Sequence, residues 1–321
     1  MELLAPLFSQ MIFLFAFIAI GFIFTKWKFI PDQSSRVLSR LENLLFIPAL
    51  IMGTFITNCT IDTIGRMWKL IVMSLAMLAV IIPLSLIFAK FIFKENYLRK
   101  VAVYGLTFSN FAYMGNAIVA AVFPQYFSDY LIFCLPLWLG IYLWGVPVLL
   151  ISNSSGEKHH FKDSLKNLVN PMVIATLIGM ALGLTGWGLK LPKAVLDVIT
   201  VSGNCMSPIA MLLTGMTLGK LNILSLAKKW RIYILSVVKL VVFPMVFILI
   251  FLFLPRNDFI NESVLICSLC IAAMPIGLNT LVVPAGYGKD VSDAAGMALI
   301  THVLSIISIP LIFMLFQTVI L

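Results

Sequence analysis

The stretch AAMPIGLNTLVVPAGYGKD, residues 272–290, interrupts an otherwise apolar segment with two prolines and three glycines. Proline removes a backbone donor and glycine weakens a helix, so both make an α-helix harder to hold in lipid. Irregular backbone at membrane depth is tolerated only where protein or a water-filled cavity satisfies its polar groups. The stretch therefore predicts a broken helix that serves a function.

The composition is that of a polytopic membrane protein. Of the 321 residues, 61% are hydrophobic and 11% are charged, and the mean hydropathy is +1.08. A soluble domain of this size cannot bury so much apolar surface. Apolar runs of about 18 residues or more recur along the chain, which predicts membrane-spanning α-helices.

We predict an all-α fold with ten transmembrane helices. Their expected ranges are 5–25, 37–57, 67–92, 99–123, 129–151, 169–188, 194–219, 229–254, 262–285 and 291–319. The domain organisation follows from this division. Residues 1–151 form a first five-helix repeat, residues 152–168 a cytoplasmic connector and residues 169–321 a second, inverted five-helix repeat.

The net charge of +9 comes from basic residues that flank the predicted helices, so it does not indicate a nucleic-acid partner. Sixteen of the 22 Lys and Arg residues lie at the odd-numbered loops and five at the even-numbered loops. Cytoplasmic loops carry the excess of basic residues in membrane proteins. We therefore expect both termini on the extracytoplasmic side of a multipass plasma-membrane protein.

Proline positions indicate that the two halves are repeats. The halves match at offsets of 160–165 residues through four proline pairs, Pro6 with Pro171, Pro48 with Pro208, Pro83 with Pro244, and Pro147 with Pro310. Five helices per half is an odd number, so the second half enters the membrane inverted. Inverted repeats are typical of secondary transporters, although channels also contain them.

The predicted fourth helix has a polar interruption that matches the one in the ninth. Its sequence SNFAYMGNAIVAAVFP, residues 109–124, places Asn116 163 residues before Asn279. We expect both helices to be discontinuous near the bilayer midplane. The N-termini of half-helices suit a carboxylate, although paired proline kinks for packing are the alternative. The candidate substrate-binding residues are Asn110, Gly115, Asn116, Pro275, Gly277, Asn279 and Thr280.

Three ionisable residues are predicted within the membrane, where such residues are costly and usually face the interior. Lys239 in the eighth helix is a countercharge for substrate, a partner that switches during transport, or a fixed partner of an acid or backbone carbonyl. His302 in the tenth helix is either a proton relay or a packing histidine. Glu42, near the cytoplasmic end of the second helix, is placed to reach water and to take part in coupling.

Neither break contains an acidic residue, whereas a sodium site normally combines carboxylates with exposed carbonyls. We therefore expect proton-coupled or uncoupled transport, with no metal and no cofactor. The chain also has no paired aspartates, no HExxH motif and no Ser/His set at membrane depth. These absences predict that the protein is not an enzyme.

Four stretches together resemble the auxin efflux carrier family, which includes the plant PIN proteins and many bacterial members. They are SNFAYMG at residue 109, NPMVIATLIGM at 170, SPIAMLLTGMTLG at 207 and AAMPIGLNTLVVPAGYGKDVSDAAGMALITHVLSIISIPL at 272. The resemblance implies a scaffold of helices one, two, six and seven. The other six helices would form a mobile transport domain, in which helices four and nine cross. It further implies an organic anion bound at the crossing, an elevator-like movement and a homodimer through the scaffold.

Individual residues match the family pattern to different degrees. Asn110 matches the family's crossover Asn, Pro275 and Gly277 match the ninth-helix break, and Asn279 matches an Asn common in bacterial members. Where the family has an apolar residue and a proline after Met-Gly, this chain has Asn116 and Ala117. That departure predicts a more polar site, suited to malate or another hydroxy- or dicarboxylate better than to an auxin-like aromatic acid. The lack of a long hydrophilic loop favours a bacterial inner-membrane member.

Two other functions stay open from the sequence. A channel is one, but it needs a continuous polar pore lining, and two isolated breaks fit an occluded site better. A sodium-coupled carrier of the bile-acid symporter type is the other, because it shares ten helices and two crossing breaks.

Overall fold

The computed structural model describes residues 4–31, 33–151, 171–220, 229–257, 259–286, 289 and 291–320. These residues form helices, and no named strand occurs among them. Seven of the described helices are long and apolar enough to cross a membrane, and three more are apolar but shorter. The prediction of an all-α polytopic membrane protein is confirmed. The predicted connector, residues 152–168, lies outside the described residues.

The helices of the first half are α1 (Leu4–Lys26), α2 (Ser34–Asn58), α3 (Ile61–Ile92), α4 (Asn96–Thr107), α5 (Phe111–Val122) and α6 (Pro124–Ile151). Those of the second half are α7 (Pro171–Leu184), α8 (Lys193–Gly219), α9 (Trp230–Phe253), α10 (Glu262–Ala273), α11 (Asn279–Gly286) and α12 (Ser292–Val319). The predicted fourth helix is thus the pair α4 and α5, and the predicted ninth helix is the pair α10 and α11.

Small residues let two helix pairs approach closely. A Cβ atom added to Gly21 of α1 would lie 2.1 Å from the carbonyl oxygen of Leu212 in α8. A Cβ atom added to Gly183 of α7 would lie 2.3 Å from the carbonyl oxygen of Phe55 in α2. Glycines at membrane-helix interfaces permit such contact between backbones. Helices α1 and α8, and likewise α2 and α7, therefore pack as tight pairs.

Polar contacts at one end of the bundle join helices outside those two pairs. Lys229, which precedes α9, forms an ion pair with Asp293 in the first turn of α12. The Nζ atom of Lys289 donates to the carbonyl oxygens of Leu150 and Ile151, at 3.1 and 2.7 Å. These contacts hold the end of α6 and the beginnings of α9 and α12 together.

At the opposite end, α6 is joined to α10. The Ser263 hydroxyl of α10 donates to the carboxylate of Asp129 in α6 over 2.6 Å. Asn261 caps α10, because its side chain accepts a hydrogen bond from the Val264 amide at 3.1 Å. Helix α10 is buried from Ser263 to Ala273, so it forms the centre of this group.

Candidate functional site

The two breaks lie against each other and satisfy each other's backbone. Helix α4 ends at Thr107 and α10 ends at Ala273, and the backbones that follow pair antiparallel at Ser109 and Ile276. The backbone N–H of Asn110 donates to the Pro275 carbonyl oxygen over 2.7 Å. These bonds replace those lost when the helices stop, which is the condition for irregular backbone inside a membrane.

Gly277 is required where the two breaks come closest. Its amide donates to the Phe108 carbonyl oxygen over 3.2 Å. A Cβ atom added to Gly277 would lie 2.9 Å from that same oxygen, closer than real Cβ atoms come. A residue with a side chain at position 277 would therefore push the two backbones apart.

Helices α5 and α11 both begin at this pairing, at Phe111 and Asn279. The first amides of a helix have no partner within it, and its N-terminus carries a partial positive charge. Two such ends meet at the paired breaks. Together they make a favourable environment for a negatively charged group without any basic side chain.

A cavity of about 440 Å³ lies beside the paired breaks. Residues of both breaks line the cavity, together with Asn43 of α2 and Met172 of α7. The residues that line it are Asn43, Tyr104, Phe108, Ser109, Asn110, Phe111, Ala112, Tyr113, Trp138, Ile141, Tyr142, Val146, Ile151, Met172, Gly277, Leu278, Asn279 and Val283. None of these described residues is Asp, Glu, Lys, Arg or His. The cavity thus combines aromatic walls with uncharged polar groups.

Asn110 and His302 form a buried hydrogen-bonded pair at the first break. The Nδ1 atom of His302 lies 2.7 Å from the Ala298 carbonyl oxygen, and its Nε2 atom lies 3.0 Å from Asn110 Nδ2. A carbonyl oxygen only accepts, so Nδ1 carries a proton and the Nε2 atom of the neutral ring accepts from the Asn110 amide. Asn110 Oδ1 has no hydrogen-bond partner among the described residues.

Asn279 and Thr280 support the second break. Asn279, which lines the cavity, donates through Nδ2 to the Tyr104 hydroxyl over 3.2 Å. The Thr280 hydroxyl donates to the Gly277 carbonyl oxygen over 2.7 Å and is fully buried. Thr280 does not line the cavity, so its contact shapes the start of α11.

Three other candidate residues also lie outside the cavity lining. A Cβ atom added to Gly115 would lie 2.1 Å from the hydroxyl oxygen of Tyr130, so this glycine makes room for packing. Asn116 is buried in α5, 4% exposed. Pro275 contributes a backbone carbonyl to the pairing of the breaks. The sequence-based argument for a more polar site depended on Asn116, which is not part of the cavity wall.

Lys239 supports the end of α10. Its Nζ atom donates to the Ala272 carbonyl oxygen over 3.2 Å and lies 5.5 Å from the centre of the Phe243 ring. The last carbonyls of a helix lack intrahelical partners, and a cation there is favourable. Of the alternatives that the sequence left open, the contact with a backbone carbonyl is the one observed.

Glu42 is fully buried in α2, so the expectation that it reaches water is wrong. It begins a wide helical turn, Glu42–Phe46, and its carboxylate oxygens have no hydrogen-bond partner among the described residues. Helices α7 and α8 pack against this turn and cover the Glu42 side chain, whereas Leu44 and Leu45 are exposed. Its neighbour Asn43 lines the cavity.

Sequence reasoning missed the aromatic wall and a second polar cavity. Tyr104, Trp138 and Tyr142 could not be distinguished from lipid-facing aromatic residues without the helix packing. The second cavity, of about 310 Å³, includes Asp129 and Ser263. Asp129 is the first residue of the predicted fifth helix, where an acid is expected to meet water, so it carries no signal of function in the sequence.

The chain matches a known family over nearly its whole length. Residues 6–313 match the family model described as membrane transport protein, which is the auxin efflux carrier and PIN-like family. No curated protein matches the chain. The family consists of transporters, in keeping with the apolar helices and the cavity at the paired breaks. The chain therefore belongs to the auxin efflux carrier family of membrane transport proteins.

Proposed function

We propose that the protein is a secondary active transporter of small organic anions, chiefly carboxylates, and that it works by an elevator-type movement. The observation that carries this proposal is the antiparallel pairing of two broken helices beside a cavity of about 440 Å³. Broken helices that meet inside the membrane are the usual means by which transporters build a substrate site.

A carboxylate would bind where α5 and α11 begin. The partial positive charges of the two helix ends would offset the charge of the anion. Asn110 and Asn279 are the cavity-lining asparagines of the two breaks, and they would orient the carboxylate. Gly115, Asn116, Pro275 and Thr280 would act indirectly, by shaping the two helix starts.

The aromatic walls favour a substrate with a planar or apolar body. Tyr104, Phe108, Phe111, Tyr113, Trp138 and Tyr142 all line the cavity. Specificity in pockets of this size usually comes from a mainly apolar wall with a few polar groups. We therefore rank an auxin-like aromatic acid above malate and other hydroxy- or dicarboxylates.

The helix packing supports ten membrane crossings arranged as two inverted repeats. If helix pairs α4–α5 and α10–α11 each make one crossing, α1 and α7 occupy equivalent places in the two halves, and so do α2 and α8. The tight pairs α1–α8 and α2–α7 are then equivalent as well. We propose these four helices as the scaffold and the site of homodimer contact. The other helices, joined by the Lys229–Asp293 and Ser263–Asp129 contacts, would move as the transport domain.

In the proposed orientation, the cavity faces the cytoplasm. It reaches Ile151 at the end of α6 and Met172 in the first turn of α7, next to the predicted cytoplasmic connector. Both termini would then be extracytoplasmic, in a bacterial inner membrane. The conformation would be the inward-facing state of the transport cycle.

Counterflow in liposomes tests this function. Purified protein would be reconstituted with labelled indole-3-acetate or labelled malate, and unlabelled mono- and dicarboxylates would compete, with and without gradients of protons and sodium. We expect saturable exchange with indole-3-acetate favoured. Flux that does not saturate and shows no counterflow would indicate a channel, and strict sodium dependence would favour a carrier of the bile-acid symporter type.

A further inference from the structure

The side-chain amide of Asn110 is hydrogen-bonded at one end and has no partner among the described residues at the other. Its Nδ2 end is held by His302 at 3.0 Å, while its Oδ1 end has no partner among the described residues. Asn110 is 2% exposed and lines the cavity, as does Ser109, whose hydroxyl is also unpartnered in the described structure. Buried polar atoms without a partner are rare and call for an explanation. A ligand in the cavity would supply one.

The protonation state of His302 decides which amide end is free. Nδ1 is committed as a donor to the Ala298 carbonyl, so only Nε2 can change. In the neutral ring Nε2 accepts, and it must face the amide nitrogen of Asn110. In the protonated ring Nε2 donates, and it must face the amide oxygen. Protonation would therefore turn the Asn110 amide by about 180° and leave its NH₂ group free.

We propose that His302 is a positioning residue that couples the uptake of one proton to the binding of one carboxylate through the Asn110 amide. This inference rests on the proposed function. With His302 protonated by a proton from water, the free NH₂ group donates to a carboxylate. With His302 neutral, the free Oδ1 accepts from an undissociated carboxylic acid, which brings its own proton. In both cases the filled site holds one carboxyl group and one proton.

The surroundings of His302 make this coupling strong. Helices α1, α4, α9, α10 and α11 pack against α12. The titratable side chains that they place in the interior are Tyr104, Lys239, Cys267 and Cys270, and their other charged residues lie near helix ends. Within the described structure the imidazole bonds only to Asn110 and Ala298. None of these described side chains is a carboxylic acid, so a bound anion would supply the negative charge that stabilises a protonated His302.

Calorimetric titration of the purified protein tests the proposal. Indole-3-acetate and malate would be titrated in two buffers of different ionisation enthalpy between pH 5.5 and 8.5, so that the heat reports protons taken up per ligand. We expect the uptake of one proton for each carboxylate bound. At pH values where the empty site is unprotonated, the affinity should fall about tenfold for each pH unit. Carboxylate binding with no proton uptake would overturn the inference while leaving the proposed function intact.

His302→Gln is the matched variant, because glutamine can present either amide end to Asn110 but cannot hold a proton. We expect it to bind the ionised carboxylate with little dependence on pH. His159→Gln, outside the described residues, is the control and should keep the wild-type proton uptake. An unchanged proton uptake in His302→Gln would overturn the inference.

A second measurement does not depend on that variant or on a ligand. Nitrogen-15 spectra of imidazole-labelled protein without ligand should show one histidine protonated at Nδ1 alone at neutral pH. Absence of any histidine protonated at Nδ1 alone would contradict the pairing on which the inference rests. Absence of carboxylate binding at every pH would overturn the proposed function, and the coupling with it.

Discussion

The two breaks share one backbone arrangement but differ in the side chains that support it. At the first break, Asn110 is held by His302 and keeps one end of its amide free. At the second, Lys239 contacts the end of α10 and Thr280 the start of α11. At the offset of 161 residues set by Pro83 and Pro244, the equivalent of Lys239 is Leu78. The two breaks therefore share their backbone pairing but differ in side-chain support, so substitutions at the two breaks should have different effects.

The largest expected effect comes from separating the two breaks. Gly277→Val would place a branched side chain where even a Cβ atom lies 2.9 Å from the Phe108 carbonyl oxygen. We expect loss of counterflow and a destabilisation of about 1–3 kcal/mol from overpacking, measured by thermal unfolding in detergent. Gly65→Ala is the control, because a Cβ atom there meets nothing within 4 Å. Normal transport by Gly277→Val would show that the contact between the breaks is dispensable.

Removal of the two asparagine side chains tests whether both breaks bind substrate. We expect Asn110→Ala and Asn279→Ala each to abolish counterflow without loss of folding, since each removes a polar side chain from the cavity wall. Asn58→Ala, at the exposed end of α2, should transport like the wild type. Size-exclusion profiles and thermal unfolding would report folding. Wild-type transport by both cavity variants would refute the assignment of the site.

Substitution of Lys239 tests its contact with the end of α10, which supports the second break. Lys239→Ala would leave the Ala272 carbonyl oxygen without its partner, and we expect transport to fall about tenfold, equivalent to about 1.4 kcal/mol. Lys239→Arg keeps a cation and should retain most activity. Equal, near-normal initial rates of exchange in both variants would leave lysine with a packing role alone.

The smallest effect is expected at the hydrogen bond between Asn279 and Tyr104. Tyr104→Phe removes the hydroxyl that accepts from Asn279 and keeps the aromatic wall. A bond of this kind contributes about 1 kcal/mol, so the half-saturating substrate concentration should rise about fivefold with little change in maximal rate. Tyr233→Phe, at the partly exposed start of α9, is the control. Phe108→Tyr is unsuitable as a control, because Phe108 lines the same cavity. A fall in maximal rate alone would indicate that the bond acts during movement.

Prediction from the sequence succeeded where a local rule was sufficient. Hydropathy marked the apolar helices, and small and polar residues around Asn110 and Gly277 marked where helices stop. It failed at positions that depend on which helices become neighbours. Asn116 has the same residue type as Asn110 and lies six positions away, yet only Asn110 lines the cavity. Glu42 was expected to reach water, but the surrounding helices bury it.

By itself, the sequence determined that this chain is a helical membrane protein with interruptions near residues 109–116 and 274–280, and it indicated the family. Composition, periodicity and breaker residues are local properties, so they can be read along the chain. The tertiary structure alone decided that the two interruptions pair, that His302 holds Asn110 and that aromatic side chains wall the cavity. These features join residues up to 192 positions apart, because unpaired polar groups inside a membrane must find partners wherever packing brings them.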